Sequence, residues 1–225
     1  MNKQIVGLVL TACCSVSQAD LIVGELRFDG QAPMAAVLYV RTPEASNDIV
    51  QIDQRNRQFS SFMTAASTGN NIVFQNSDSA RHNLYANNFS SGTRFDVGLI
   101  PPGKNVSIPV TWPEDSIVRV GCAIHSHMET YIANIRSQYY VVLPFRSWQE
   151  RVREDEYGSN TVYEMQQLNK AEFKIRSVPA DKKDITLLAP YMAPLHFPLL
   201  LGEEKKLPVL RDGSKRGELW IRRSP

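Results

Sequence analysis

Cysteine and histidine are scarce in this 225-residue chain, which holds three of the first and four of the second. Two of the cysteines, Cys13 and Cys14, fall in the first stretch of the chain, so a disulfide framework is excluded for the remainder, where Cys122 stands alone. Apolar runs of the roughly 20 residues needed to cross a bilayer as a helix are also lacking. The run from Ile5 to Ala12 is too short for that purpose. Nor is there an excess of either charge: the formal net charge is +2, which implies no nucleic-acid partner. Lys205, Lys206, Arg211, Lys215 and Arg216 read as a solvated loop surface.

What remains is ordinary globular material, 43% hydrophobic and 21% charged, enough to bury a core. A basic start at Met1-Asn2-Lys3 followed by the apolar run Ile5 to Ala12 reads as a secretory signal. Ser17-Gln18-Ala19 supplies small residues for cleavage after Ala19, while Leu10-Thr11-Ala12-Cys13 offers the alternative of a lipid anchor at Cys13. Export to the periplasm is the expectation. In an oxidising compartment an unpaired Cys122 is buried and inert, paired with another chain, or occupied by a metal.

From Leu21 to about Ile135, short apolar runs recur at close intervals, among them Val37-Leu38-Tyr39-Val40, Ile72-Val73-Phe74 and Ile117-Val118-Arg119-Val120. Turn markers separate them: Asp29-Gly30, Thr68-Gly69-Asn70, Asn76-Ser77-Asp78 and Pro101-Pro102-Gly103. This stretch shows no sustained helical spacing of apolar residues, so the pattern predicts an all-β fold, an antiparallel Greek-key β-sandwich. Beyond Ser137, Ser147-Trp148-Gln149-Glu150 matches a capping box and predicts a short helix running to Glu156. Strand patterns at 171–175, 185–188, 198–201 and 218–221 then predict a smaller β-rich unit. The expected partition is a signal over 1–19, a sandwich over 20–137 and a C-terminal extension over 138–225.

The chemistry concentrates in Cys122-Ala123-Ile124-His125-Ser126-His127-Met128. Thiolate, imidazole and thioether within seven residues form a soft donor set suited to copper, and a thiolate with two imidazoles and a weak axial thioether is the set of a blue electron-transfer site. The second imidazole is best supplied by His82, which follows the apolar run ending at Phe74 and sits where a strand exit is expected. Strand ends distant in sequence meet at one pole of a sandwich, so His82 and Cys122, about forty residues apart, can face each other.

His82-Asn83 followed by Cys122-x-x-His125-x-x-Met128 resembles the cupredoxin family, and the short ligand loop is similar to that of amicyanins. The resemblance covers roughly Leu21 to Ile135. Gln54 to Phe59, Val73 to Asp78 and Cys122 to His125 also resemble exported cupredoxin-like proteins of the methylamine-utilisation type, a label that fixes neither substrate nor partner. The resemblance implies one copper ion cycling between Cu(I) and Cu(II), His82, Cys122 and His125 as equatorial ligands, and Met128 as a long axial ligand. It also implies that Asn83 hydrogen-bonds across to the cysteine sulfur and steadies the two ligand loops. The protein is then a one-electron carrier, not an enzyme, working with redox partner proteins that the sequence does not name.

The chain departs from the family at Ser126-His127, which places a second imidazole inside the loop. Consecutive side chains in extended backbone point to opposite sides, so His127 and Met128 cannot both readily face one metal, and His127 is expected at the rim. A Cys-His hydrolase would need Cys122 beside an oriented base, and zinc would make little use of the thioether. His196, between Pro194 and Pro198, carries no assigned role. The alternative function is copper binding or delivery without redox traffic, or an interaction role for the fold, which the C-terminal extension motivates.

Overall fold

The computed structural model describes residues 19–45, 49–155 and 158–225, with the side chains of 153–163 outside the description. The signal segment, with Cys13 and Cys14, lies outside the described residues. Among the described residues the fold is all-β, and no helix is long and apolar enough to cross a membrane.

Two sheets enclose the region that carries the chemistry. One is ordered β4 (Gln58–Phe59), β3 (Val50–Arg55), β6 (Asn71–Asn76), β9 (Asn105–Pro109). The other is ordered β5 (Met63–Ala66), β11 (Glu129–Asn134), β10 (Ser116–Gly121), β7 (His82–Asn88), β8 (Thr93–Ile100). Their inward residues meet in one core that includes Ile52, Ile72, Phe74, Leu84, Val118 and Val120. In β3 and β6 buried and less buried positions alternate, as expected of strands with one face on a core. Two neighbouring pairs are parallel, β3 with β6 and β5 with β11. The expected wholly antiparallel sandwich is therefore a mixed one, because the chain changes sheets between the two members of each parallel pair.

The other two large sheets are ordered β15 (Lys170–Val178), β1 (Asp20–Phe28), β19 (Ser214–Ser224), β18 (Glu204–Arg211), and β12 (Tyr140–Pro144), β2 (Ala35–Val40), β16 (Asp184–Leu188), β17 (Leu195–Pro198). The hydrogen bonds thus group the N-terminal strands differently from the sequence partition at residue 137. β1 lies between β15 and β19, and β2 between β12 and β16, so residues 20–40 pair with the C-terminal part of the chain. An ion pair seals this arrangement. Arg223, 1% exposed, binds Asp20 through Nε and Nη2 at 2.8 and 2.7 Å, and its other N–H groups meet the carbonyls of Pro179, Lys182 and Leu199.

All six residues of β2 are buried, because the strand separates two cores. Ala36, Leu38 and Val40 face Leu26, Phe145 and Ile221, whereas Val37 and Tyr39 join Met63, Tyr131, Ala133 and Ile135 of the first unit. The second unit is thereby packed on the first through a continuous apolar layer.

The short helix expected from Ser147 is corrected to a strand. β13 (Arg146–Asp155) pairs residue by residue with β14 (Gly158–Gln167) as a two-stranded ribbon. The capping pattern is a local signal, and it is overridden by the cross-strand ladder and by Trp148 stacking on Phe62 at 6.0 Å.

Candidate metal centre

The two ligand-bearing segments meet because β7 and β10 are antiparallel neighbours, with Tyr85 opposite Gly121. His82 opens β7, and Cys122 follows the last residue of β10. Gly121 eases this crossing: a Cβ there would lie 3.1–3.2 Å from the Tyr85 side chain, which would have to shift by a few tenths of an ångström. Cys122 then starts a compact loop. Its N–H donates to the Met128 carbonyl at 3.2 Å, and the Met128 N–H donates to the His125 carbonyl at 2.9 Å, so the chain doubles back before β11.

The ligand atoms of His82, Cys122 and His125 lie within 4.8 Å of one another. His82 Nδ1 faces His125 Nδ1 at 3.1 Å, and Cys122 Sγ lies 3.7 Å from His125 Nδ1. Two imidazole nitrogens and a sulfur thus converge on one point. His82, Cys122 and Met128 are all buried at the end of the first core, whereas His125 is partly exposed and Ala123, Ile124, Ser126 and His127 form the outer rim. His127 stands with its ring 6.4 Å from that of His125 and does not join the converging group. His196 lies on β17 in the other unit, where its Nδ1 meets the Thr186 hydroxyl at 3.0 Å.

Asn83 joins the two segments, but by a division of labour that the sequence did not reveal. Its backbone N–H points at Cys122 Sγ at 3.4 Å. Its side-chain oxygen accepts the Ala123 N–H at 3.2 Å, while its amide nitrogen donates to Asp96 Oδ1 and the Gly98 carbonyl at 2.7 and 3.1 Å. The backbone therefore serves the sulfur, and the side chain clamps the loop.

Asp78, in the sequence only a turn marker, lies against the candidate centre. Asn76, fully buried, donates its amide to the carbonyls of Ala80 and Ile100, both at 2.9 Å, and accepts the Asp78 N–H at 3.0 Å. That turn aims Asp78 Oδ2 at His82 Nε2, 3.1 Å away, and the same oxygen accepts the Arg57 N–H at 2.8 Å. Burial acts to raise the Asp78 pKa, but the hydrogen bonds from Arg57 and His82 prevail and hold it below its ordinary value. The i, i+4 spacing of Asp78 and His82 was the available signal; in a loop rather than a helix that spacing has no fixed meaning. His125 is pushed below its ordinary value, first by burial and then by the neighbouring His82.

The donor set fits copper. Facing nitrogen lone pairs 3.1 Å apart repel unless a proton or a cation lies between them, and the soft sulfur beside them selects a soft or borderline ion. With Nε2–H of His82 engaged by Asp78, Nδ1 keeps its lone pair for that ion.

No family model matches the chain, and no curated protein matches it. Among solved structures, part of the chain is similar to a purple cupredoxin from Nitrosopumilus maritimus, at 14% identity and TM-score 0.33, over 38% of this chain and 98% of that one. Amicyanin from Paracoccus versutus is similar at 17% identity and TM-score 0.33, over 43% of this chain and 96% of that one. A copper-containing nitrite reductase from Thermus scotoductus is similar at 17% identity and TM-score 0.34, over 42% of this chain and 24% of that one.

Proposed function

We propose that the chain is an exported, periplasmic type 1 (blue) copper protein that carries one electron at a time. The observation that carries this reading is the convergence of His82 Nδ1, His125 Nδ1 and Cys122 Sγ at the end of a packed core. His82, Cys122 and His125 would hold the copper, and Met128, whose carbonyl accepts the Cys122 N–H, would supply a weak thioether donor.

Copper held there supplies a Cu(I)/Cu(II) couple. The residues supply the rest. Asp78 fixes the tautomer and orientation of His82, and the Asn83 N–H spreads the negative charge of the Cys122 sulfur. The core residues around Cys122 and Met128 exclude water from the buried side. Asn83 and Asn76 hold both ligand segments in place, so little rearrangement accompanies a change of charge. His125 is the ligand nearest the surface, and exposed Ala123 and Ile124 beside it offer an apolar contact for a partner protein.

Voltammetry of the copper-loaded chain tests the reading. A reversible one-electron wave with fast exchange is expected. Stoichiometric copper without such a wave overturns electron carriage and leaves copper binding or delivery.

A further inference from the structure

A second site lies where the two units meet. Two adjoining cavities, of about 460 and 690 Å³, share Tyr131, Pro190, Tyr191 and Met192. The loop after β16 and β11 wall both; the smaller is completed by residues 29–34 after β1 and by Arg146, Arg211 and Arg216, the larger by β7, β10 and residues 89–90. None of the four proposed copper ligands lines either cavity.

The charge of the smaller cavity is unbalanced. Arg146, Arg211 and Arg216 line it together with Asp29 and Glu129; Glu129 is already engaged by Arg119 at 2.6 Å, and Arg211 has only a loose, exposed pair with Asp212 at 3.6 Å. Arg146 Nε is buried with no hydrogen-bond partner, and Arg146 Nη1 meets only the Met165 sulfur, at 3.5 Å. A guanidinium left in this state matches the two oxygens of a carboxylate.

Tyr191 supplies an aromatic wall that is still largely open to solvent. Tyr191 is 65% exposed, yet it is held in place, with the Arg211 guanidinium 5.8 Å from its ring centre and its hydroxyl 3.2 Å from that of Tyr131. Burial raises the Tyr131 pKa, so its hydroxyl keeps its proton. A large apolar face fixed at the mouth of a cationic cavity suits a ligand with a flat apolar body and one acidic group.

We propose that this cleft binds a small aromatic carboxylate, its acid group against Arg146 and Arg211 and its ring against Tyr191. Phosphate would satisfy the arginines but leave the Tyr191 face without a partner.

Calorimetric titration of the full chain with benzoate, and separately with inorganic phosphate, tests this. Saturable benzoate binding that exceeds phosphate binding is expected, in copper-free and copper-loaded protein alike. Arg211→Gln, at a half-exposed side chain, should leave the thermal midpoint in place; it and Tyr191→Ala should each weaken benzoate by at least about tenfold. Arg146→Gln should do the same. Absence of saturable benzoate binding, equal affinity for phosphate, or undiminished binding by the variants overturns the proposal. Because every readout is independent of copper, these outcomes leave the metal centre untested and unaffected.

Discussion

Asn83 binds the cysteine segment twice, with its backbone N–H on Cys122 Sγ at 3.4 Å and its side-chain oxygen on the N–H of the next residue, Ala123, at 3.2 Å. Asn83→Ala keeps the first contact and removes the second, together with the bonds to Asp96 and Gly98. A loss of about 2 kcal/mol is expected, since buried groups on the partner side are left unpaired. Urea unfolding of the copper-free chain measures it, and an unchanged midpoint would contradict the clamp.

Asp78 meets His82 Nε2, so in the proposed copper site it would act through that ring. Asp78→Asn keeps the shape of the turn but replaces a carboxylate on His82 Nε2 with a neutral amide. The ring becomes a weaker donor, and one negative charge near the site disappears. Affinity for Cu(II) should fall by about 10- to 100-fold, the usual cost of losing such a partner, and the reduction potential should rise. Competition against a chelator and voltammetry read the two effects, and no change in either would remove Asp78 from the site.

Acid should destabilise the copper-free chain in two stages. Burial, followed by the His82 ring, holds His125 below its ordinary 6.5. As pH falls below that value, the unfolded chain takes up a proton that the folded chain resists, so stability is lost from about 6.5 down to the lower folded value. Asp78, whose burial is outweighed by its hydrogen bonds, contributes stability that is present above 3.8 and lost as pH falls through its depressed value. Denaturant midpoints measured across this range should decline, and His125→Gln should reduce the upper part of the decline, to which His196, also held down by burial, contributes the rest. A flat profile through the upper range would contradict the burial of His125.

The second unit is predicted to be part of the same folded body. A chain ending at Ser137 keeps both sheets of the metal-bearing unit but strips β1 and β2 of every strand that pairs with them. It also exposes Leu26, Leu38 and Val40, whose partners Phe145, Phe173 and Ile221 are removed. Such a chain should be insoluble or bind hydrophobic dye strongly. A soluble truncated chain with the full-length copper spectrum would contradict this.

The convergence of Cys122 and His125 was legible in the sequence because their loop is local, with three residues from one to the other, and the donor types suggested a metal. His82 was legible by elimination, since few histidines were available. Asp78 was not, because its bond to His82 depends on the turn held by Asn76, whose partner carbonyls at Ala80 and Ile100 carry no sequence signal. The all-β character followed from the short apolar runs. The pairing of β1 with β19 did not, because those strands lie at opposite ends of the chain and each is satisfied by any complementary edge. Ser147-Trp148-Gln149-Glu150 misled for the converse reason: a cap pattern is counted over four residues, whereas the ten-pair ladder that opposes it is invisible locally.

The central claim is that His82, Cys122 and His125 hold one copper ion, with His127 outside the ligand set. Titration of the copper-free chain with Cu(II), followed by visible absorption, tests it most directly. One equivalent should produce an intense thiolate-to-copper charge-transfer band, which His125→Ala abolishes and His127→Ala leaves nearly unchanged. Absence of the band in the unaltered chain, or its loss with His127→Ala and survival with His125→Ala, would contradict the account.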